Sequence, residues 1–355
     1  MNRNCDGLEL RCIRVFMLAW LLLLLLPLAG FAADHRVRFS VAPGGDAEFH
    51  TVQAAIDHAP LEGAIIRIAP GRYREKITIH KPHIALIGTG ASPEDTVLSW
   101  DDSAKTVGST SRSGSILVDA DGFQAENLTI ENTWENEHQR SKEYASQAVA
   151  LMMSSDRAVL DHVWLLGAQD TLYANSRTCR DASSEEACAA SRQYFSNCFI
   201  EGHVDYIFGD AKAVFDHCEL HSRAAPNVMI TAQSRHSPME DSGYTFLHCR
   251  ITGENTVGKV ALGRPWRPYA TVTFYETDIE QTIMAEGWSD WNDRLMTSTY
   301  REYDSHGPGV NGGHRIVDSP VLTRAERKKL NPGHLLAGSD GWDPEKVVKA
   351  LRKLR

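Results

Sequence analysis

A six-residue pattern recurs through the middle of this 355-residue chain and limits what the chain can fold into. Each copy has an apolar residue first, Asn or His third, an apolar residue or Cys fourth, and Ile or Leu sixth. The copies are AENLTI (125–130), LDHVWL (160–165), FSNCFI (195–200), FDHCEL (215–220), FLHCRI (246–251) and, more loosely, FYETDI (274–279). The alternation of apolar residues indicates short strands rather than helices.

The spacing of the copies favours a solenoid. Successive copies start 35, 35, 20, 31 and 28 residues apart, as coils of one shape would if their loops differed in length. A β-sandwich also has many short strands, but it gives no reason for one residue register to recur. We therefore predict an all-β fold, a right-handed parallel β-helix that forms a single domain over residues 33–355.

The amino terminus has the features of a targeting segment. Three arginines precede an apolar run, and the sequence GFA at 30–32 offers a cleavage site of small residues. We predict a signal peptide over residues 1–32 and a secreted or periplasmic mature protein. A retained membrane anchor is the alternative, because residues 15–33 are just long enough to span a bilayer.

The net charge argues against nucleic acid as a partner. The formal charge of −9 becomes −10 when residues 1–32 are removed, because that segment holds three arginines, one aspartate and one glutamate. The mature chain has no basic runs that would hold a phosphate backbone or an anionic membrane. We expect no nucleic-acid partner and no stable membrane association after signal cleavage.

Five of the seven cysteines remain in the mature chain, and three of them take the fourth position of the repeat. Cys198, Cys218 and Cys249 should therefore stack on successive coils about 5 Å apart. We predict a Cys198–Cys218 disulfide, with Cys249 left as a buried thiol. Cys179 and Cys188 lie in a polar stretch and are predicted to close the insertion 174–193 with a second disulfide.

Both ends of the mature chain have helical periodicity. FHTVQAAIDHAP (49–60) predicts a helix that caps the N-terminal end of the coil stack, and the tail 321–355 predicts two short amphipathic helices. A solenoid needs such caps to cover its end coils. A capped solenoid requires no partner to complete its core, so we predict a monomer.

Asp205 stands in an apolar run, where burying a carboxylate costs several kcal/mol unless the group is paired or used. It follows the end of its repeat copy, Ile200, by five residues, and Asp170 follows Leu165 by the same five. Because both aspartates follow their repeat copies by the same number of residues, they should occupy equivalent positions on neighbouring coils, with their carboxylates side by side. Their pKa values would then split and provide one acid and one carboxylate. The alternative is that both aspartates merely cap turns.

Several blocks of the sequence resemble, in order, the signature blocks of pectin methylesterases. They are GRYREK (71–76), SQAVAL (146–151), GAQDTLY (167–173), VDYIFGDA (204–211) and LGRPW (262–266). EGWSDW (286–291) and REYDSHGPG (301–309) resemble the C-terminal blocks of that family. The resemblance implies a parallel β-helix, a secreted enzyme that removes methyl esters from polygalacturonate, and pectin as its binding partner.

The resemblance also implies roles for nine residues. Asp205 matches the nucleophile, Asp170 the general acid/base, and Arg264 the arginine that holds the nucleophile. Gln147 and Gln169 match the residues that stabilise the oxyanion. The positions that match the walls of the sugar-binding cleft are Tyr173, Val204, Phe208 and Trp266.

Other functions remain open at the level of sequence. The same fold could act on another ester or on a thioester, or could bind polysaccharide without catalysis. His217 and His221 have the spacing of a zinc-binding helix, but they fall on a predicted strand. We therefore expect no metal and no cofactor.

Overall fold

The computed structural model describes residues 34–138, 146–177, 179, 187–255, 258–310 and 314–355. The predicted signal peptide lies outside the described residues, as do positions 178 and 180–186 of the predicted insertion. Residues Arg36–Arg355 form one compact unit, while the predicted domain boundary at residue 33 stays a prediction. Among the described residues, no helix has the length and apolar character needed to cross a bilayer.

Most of the chain forms short strands. In chain order they are β1 (Val37–Val41), β2 (Ala64–Ile68), β3 (Gly71–Arg74), β4 (Ile77–Ile79), β5 (Ile84–Gly88), β6 (Thr96–Trp100), β7 (Ile116–Val118), β8 (Gln124–Asn132), β9 (Leu151–Met153), β10 (Ala158–Leu166), β11 (Leu172–Ala174), β12 (Cys188–Ala189), β13 (Arg192–Ser196), β14 (Phe199–Gly202), β15 (Ile207–Gly209), β16 (Lys212–Asp216), β17 (Glu219–Ser222), β18 (Asn227–Gln233), β19 (Glu240–Asp241), β20 (Gly243–Leu247), β21 (Arg250–Gly253), β22 (Lys259–Gly263), β23 (Thr271–Tyr275), β24 (Asp278–Ile279) and β25 (Thr299–Tyr303).

The helices are short and lie outside the coils. They are α1 (Val52–His58), α2 (Ala104–Val107), α3 (Trp134–His138), α4 (Arg324–Arg327), α5 (Pro332–Leu335) and α6 (Pro344–Leu351), with 3₁₀ turns at Pro93–Asp95, Thr110–Arg112, Arg294–Met296 and Pro308–Val310.

The strands form two main sheets in which the paired strands are parallel. One sheet has 16 strands and follows the order β1-β2-β5-β8-β10-β13-β16-β20-β23-β25, with β3, β6, β14, β17, β21 and β24 joined to its side. The other has seven strands in the order β22-β18-β15-β11-β9-β7-β4. Between β2 and β22, each coil contributes strands to both sheets before the chain moves to the next coil. This arrangement confirms the predicted parallel β-helix.

The third position of the sequence repeat is a corner in the left-handed backbone region. Asn127, His162, Asn197, His217 and His248 have φ between 51° and 54°. Asn and His are among the non-glycine residues that adopt this conformation most readily, which explains their recurrence. Asn197, His217 and His248 each join two strands, whereas Asn127 and His162 bend the long strands β8 and β10. The corner N–H continues the pairing: the His217 amide donates to the carbonyl of Leu247 on the next coil at 2.9 Å. We call these equivalent positions, together with Glu276 (φ 50°) of the looser copy FYETDI, the corner column.

The first position of the repeat builds the core. Phe195, Phe215, Phe246 and Phe274 stack on successive coils, with ring centroids 4.5, 4.5 and 4.4 Å apart and interplanar angles of 11°, 12° and 8°. All four rings are fully buried. A parallel in-register pairing places identical side chains one strand spacing apart, and this spacing is close to the stacking distance of aromatic rings.

The predicted Cys198–Cys218 disulfide is wrong, because Cys198, Cys218 and Cys249 are buried free thiols. They do stack at equivalent positions, as the repeat indicated. However, neighbours in a parallel register point the same way about 4.8 Å apart, whereas a disulfide needs Cβ atoms about 3.5–4.5 Å apart and turned toward each other. Each thiol instead donates a weak hydrogen bond to a carbonyl of the preceding coil; that of Cys218 reaches Phe195 at 3.4 Å.

The second predicted disulfide, Cys179–Cys188, is present, with a Cα–Cα distance of 5.5 Å. It closes the predicted insertion, and Cys188 begins β12, which pairs with β19 at Glu240 in a separate two-stranded sheet.

The N-terminal helix forms as predicted. Thr51 caps it by accepting a hydrogen bond from the amide of Ala54, and the Glu75 carboxylate accepts from the amides of Val52 and Gln53. These bonds satisfy amides that the first turn of a helix leaves without partners.

The tail forms three short helices rather than the two predicted. Val348 and Leu351 of α6 pack against the outer side of the 16-stranded sheet, over apolar residues such as Val159, Val214 and Leu247. Those strands present apolar side chains outward, and the tail covers them along the flank of the coil stack. The tail also contacts the last coil, where Arg327 of α4 pairs with Asp304, the residue after β25.

Candidate active site

The two candidate acids stand just before neighbouring strands of the seven-stranded sheet. In the pairing of β11 with β15, Leu172 lies opposite Ile207. Asp170 and Asp205 each stand two residues before this pair, so they have the equal phase expected from the sequence. The amide of Asp170 also donates to the carbonyl of Val204 at 3.0 Å, which links the two coils next to the acids.

Both acids have backbone conformations that few side chains tolerate. The φ angles of Asp170 and Asp205 are 64° and 52°. Asp is among the residues that tolerate this region, and non-glycine residues with such angles concentrate at functional sites. Both residues are 8% exposed, so the carboxylates are largely withdrawn from water but still reachable.

Arg264 holds the carboxylate of Asp205 through a planar fork. Its Nε donates to Oδ1 at 2.8 Å, and its Nη2 donates to Oδ2 at 2.6 Å. Arg264 follows the end of β22, two coils beyond Asp205, and Ala232 of the intervening strand β18 lines the same cavity. A bidentate pair of this kind fixes the orientation of the carboxylate as well as its charge.

The environment separates the proton affinities of the two acids. Burial raises the pKa of Asp205, and the guanidinium of Arg264 opposes that rise. Burial also raises the pKa of Asp170, the negative charge of Asp205 adds to the rise, and the pKa ends well above its usual value. A single proton shared by the pair therefore resides on Asp170, and Asp205 is the carboxylate.

Most of the predicted site residues converge on one cavity of about 420 Å³. Eight of the nine line it: Gln147, Gln169, Asp170, Tyr173, Asp205, Phe208, Arg264 and Trp266. Val204 is the exception; it is half-buried and contributes the carbonyl that accepts from Asp170.

Aromatic side chains form one wall of this cavity. The rings of Tyr173 and Phe208 stack with centroids 4.2 Å apart and an interplanar angle of 22°. Trp266 stands at 60° to Phe208, at 5.8 Å. Phe208 is only 3% exposed and stacks on Tyr173, while Tyr173 and Trp266 are half-buried and line the cavity.

Sequence reasoning missed Trp291 and the turn that contains Ser109 and Ser111, which also line the cavity. The Trp291 ring lies 4.1 Å from the guanidinium carbon of Arg264, within cation–π distance. Its block, EGWSDW, was recognised, but nothing in the string relates residue 291 to residue 264. The serines lie in a polar stretch without a chemical signature.

Comparisons with known proteins agree with this arrangement. A family model described as Pectinesterase matches residues 38–336. Pectinesterase QRT1 of Arabidopsis thaliana is 36% identical over 312 residues, which cover 84% of this chain and 76% of that protein. The solved pectin methylesterase from carrot is 27% identical with a TM-score of 0.75, and the match covers 88% of this chain and 95% of that one.

A pectin methylesterase solved in complex with a hexasaccharide is also similar, with a TM-score of 0.67 and 27% identity over 86% of this chain and 98% of that one. The family match extends over most of the described coils and includes every candidate site residue. The chain therefore belongs to the pectinesterase family of carboxylic ester hydrolases.

Proposed function

We propose that this chain hydrolyses the methyl esters of polygalacturonate, releasing methanol and pectate, with Asp205 as the nucleophile and Asp170 as the general acid/base. The observation that carries the proposal is the fork of Arg264 on Asp205, 2.8 and 2.6 Å long, beside a second acid whose pKa lies well above its usual value. One group is kept ready to attack, and the other is kept ready to donate a proton.

In the first half of the reaction, an oxygen of Asp205 attacks the ester carbonyl carbon. The bond to methoxide breaks, Asp170 gives its proton to the departing oxygen, and methanol leaves. The products on the enzyme are an acyl anhydride on Asp205 and an ionised Asp170. In the second half, Asp170 takes a proton from water, the hydroxide attacks the acyl carbon of the anhydride, and Asp205 leaves as its carboxylate. The product is released as a carboxylic acid, which loses its proton to the solvent.

Charge develops on the carbonyl oxygen in both halves and requires hydrogen-bond donors. Gln147 and Gln169 line the same cavity as the two acids, and their side-chain amides can donate to an oxyanion. An amide donor suits this position because it leaves the charges of the two acids unchanged, whereas a cation there would compete with Arg264 for Asp205.

The surroundings of the cavity suit a polymer. A second cavity of about 580 Å³ shares Ser111, Tyr173 and Trp266 with the first and extends toward Asn175 and Arg267. The shared rings stand between the two spaces, where the apolar faces of sugars can stack on them. We propose that several sugar units bind along this groove, and that the insertion borders it, because Cys179 lines the second cavity.

The predicted signal peptide supports a secreted or periplasmic location, which stays part of the proposal, as does the monomeric state. Gel filtration with light scattering of the mature chain measures the latter directly.

The test is methanol release from methylated polygalacturonate by the mature chain and by Asp205→Asn. Asn preserves size and tolerates the same backbone angle but cannot act as the carboxylate nucleophile. We expect a loss of more than about 10³-fold in kcat with unchanged folding. Asp304→Asn is the matched control, because Asp304 has the same conformation (φ 53°) and is half exposed and ion-paired with Arg327.

Unchanged turnover by Asp205→Asn would remove this residue from its role. The same variants on acetyl esters and on a thioester distinguish the alternative substrates. Hydrolysis of those compounds in preference to methylated pectin would contradict the substrate proposed here.

A further inference from the structure

Two histidines of the corner column meet on the side of the 16-stranded sheet. His217 and His248 occupy equivalent corners of consecutive coils, with φ of 54° and 52°. Their ring centroids are 4.9 Å apart. The sequence had related His217 to His221, but His221 lies beyond the corner and contacts Thr252 instead. The residue that meets His217 is 31 positions away and one coil further on.

One carboxylate serves both rings. Nδ1 of His217 lies 2.8 Å from Oδ1 of Asp216, and Nδ1 of His248 lies 3.3 Å from the same oxygen. The other oxygen of Asp216 accepts a hydrogen bond from the hydroxyl of Tyr194 at 2.9 Å, which fixes the direction of the carboxylate. Glu276, the next residue of the corner column, places a carboxylate oxygen 3.5 Å from Nε2 of His248.

The geometry points to a binding site for a divalent transition metal of the zinc class at Asp216, His217 and His248. The three ligand atoms all lie within 4.8 Å of one another. In a tetrahedral site with bonds of about 2.0–2.1 Å, ligand atoms are about 3.3 Å apart, so the 3.3 Å pair already fits and the 2.8 Å pair must widen slightly. Two imidazoles with one carboxylate form a donor set that suits zinc.

Charge also favours a cation at this place. Asp216 and Glu276 bring two negative charges, and within the described part of the chain no Lys or Arg forms an ion pair with Asp216. A divalent ion would neutralise both carboxylates. His217 and His248 are 61% and 38% exposed in their side chains, so an ion can reach them from solvent.

Another histidine of the corner column, His162, can be compared with His217 and His248. His162 occupies the same position two coils before His217, and its Nδ1 lies 3.1 Å from Oδ2 of Asp161. There, however, the Asp161 carboxylate is fully buried and already held by the guanidinium of Arg352 at 2.7 and 2.9 Å. The next corner is Asn197, so no second imidazole is present. A single histidine beside an arginine-bound carboxylate does not make a metal site.

Zinc titration of the tag-free mature chain, followed by isothermal calorimetry, tests the proposal. The variants are His217→Asn and His248→Asn, with His162→Asn as the matched control. Asn already occupies this column at positions 127 and 197, so the three substitutions preserve the backbone angle. Thermal unfolding with and without zinc gives a second readout, because an ion that binds only the folded chain raises the unfolding midpoint.

We expect one zinc ion per chain, a loss of affinity of more than about ten-fold in each of His217→Asn and His248→Asn, and unchanged affinity in His162→Asn. The zinc-dependent rise in the unfolding midpoint should disappear in the same two variants. The proposal is overturned if the unaltered chain binds zinc no more tightly than about 1 mM. It is also overturned if the affinity survives both substitutions or falls equally in the control.

Discussion

Replacing Arg264 tests the central electrostatic argument, because this one guanidinium distinguishes Asp205 from Asp170. Arg264→Lys keeps the charge but loses the fork, so at most one of the two hydrogen bonds, 2.8 and 2.6 Å long, can be retained. Arg264→Met removes both bonds and leaves a carboxylate that is 8% exposed without its cation.

The expected loss of kcat/KM in each variant follows from the contacts that it removes. A hydrogen bond to a charged group contributes about 1.5–3 kcal/mol, and removing one partner of a buried ion pair costs about 3–5 kcal/mol. At about 1.4 kcal/mol for each factor of ten, kcat/KM should fall about 10–100-fold in Arg264→Lys and about 10²–10³-fold or more in Arg264→Met.

The direction of the change in pH dependence follows from the pKa of Asp205. Burial raises the pKa of Asp205 and Arg264 lowers it, so the variants should have a higher pKa at this carboxylate. Activity requires Asp205 to be ionised. The acidic limb of the kcat/KM profile should therefore move to higher pH, and part of the lost activity should return as the pH increases.

Initial rates of methanol release between acid and neutral pH measure both effects. Arg250→Met is the matched control, since Arg250 also pairs with carboxylates, Glu280 at 2.8 Å and Glu219 at 3.2 Å, but on an exposed surface. It should have the activity of the unaltered chain. Wild-type kcat/KM in Arg264→Lys, or an acidic limb that stays in place in Arg264→Met, would refute the role given to the fork.

The core and the flank of the coil stack offer further predictions. Phe246→Ala removes the middle of the stacked rings and should lower the free energy of unfolding by about 3–5 kcal/mol in urea titrations. Replacing Cys179 and Cys188 by serine opens a loop with a sequence separation of 9 and should cost at most about 2.7 kcal/mol in the same assay. Burial raises the pKa of Asp161, but hydrogen bonds from His162 and Arg352 outweigh it and lower the pKa. The pairing thus stabilises the fold above the unfolded pKa of about 3.9, and the stabilisation is lost as pH falls through the folded pKa. Arg352→Met should lower the free energy of unfolding by about 1–3 kcal/mol at neutral pH, less than for a fully buried pair because the Arg352 side chain is 47% exposed, and the difference should shrink in strong acid.

The sequence was most informative where the coils repeat. The third position of the pattern requires a residue that tolerates a positive φ, and that requirement fixes the phase of every copy. Counting five residues from the end of two copies was then enough to predict that Asp170 and Asp205 stand in equal phase. The stacked Phe and Cys columns follow from the same count.

Sequence was least informative where contacts depend on direction rather than phase. The prediction that Cys198 and Cys218 stack at equivalent positions is confirmed, but the parallel orientation of their side chains excludes the predicted disulfide. The position of the tail depends on which strands have apolar residues on their outer faces, whereas the six-residue repeat reports the residues that point into the core. Trp291 meets Arg264 only because a loop returns over the cavity, and no local signal reports such a return.

The repetition of the coil explains why the chemistry needs a non-repeating partner. Equivalent positions on neighbouring coils have the same backbone and are about 4.8 Å apart, so a second carboxylate in phase feels the first strongly. Two such charges repel by about 3 kcal/mol at an effective dielectric constant near 20, which holds one of them protonated at the pH where the other is ionised. Repetition alone leaves open which one, because the two positions have the same phase and the same exposure of 8%. The guanidinium of Arg264 comes from a different coil, and its fork contacts Asp205 alone. It therefore determines that Asp205 is the ionised acid and Asp170 the protonated one. A cation placed equally close to both acids would ionise both and remove the proton donor that methoxide requires.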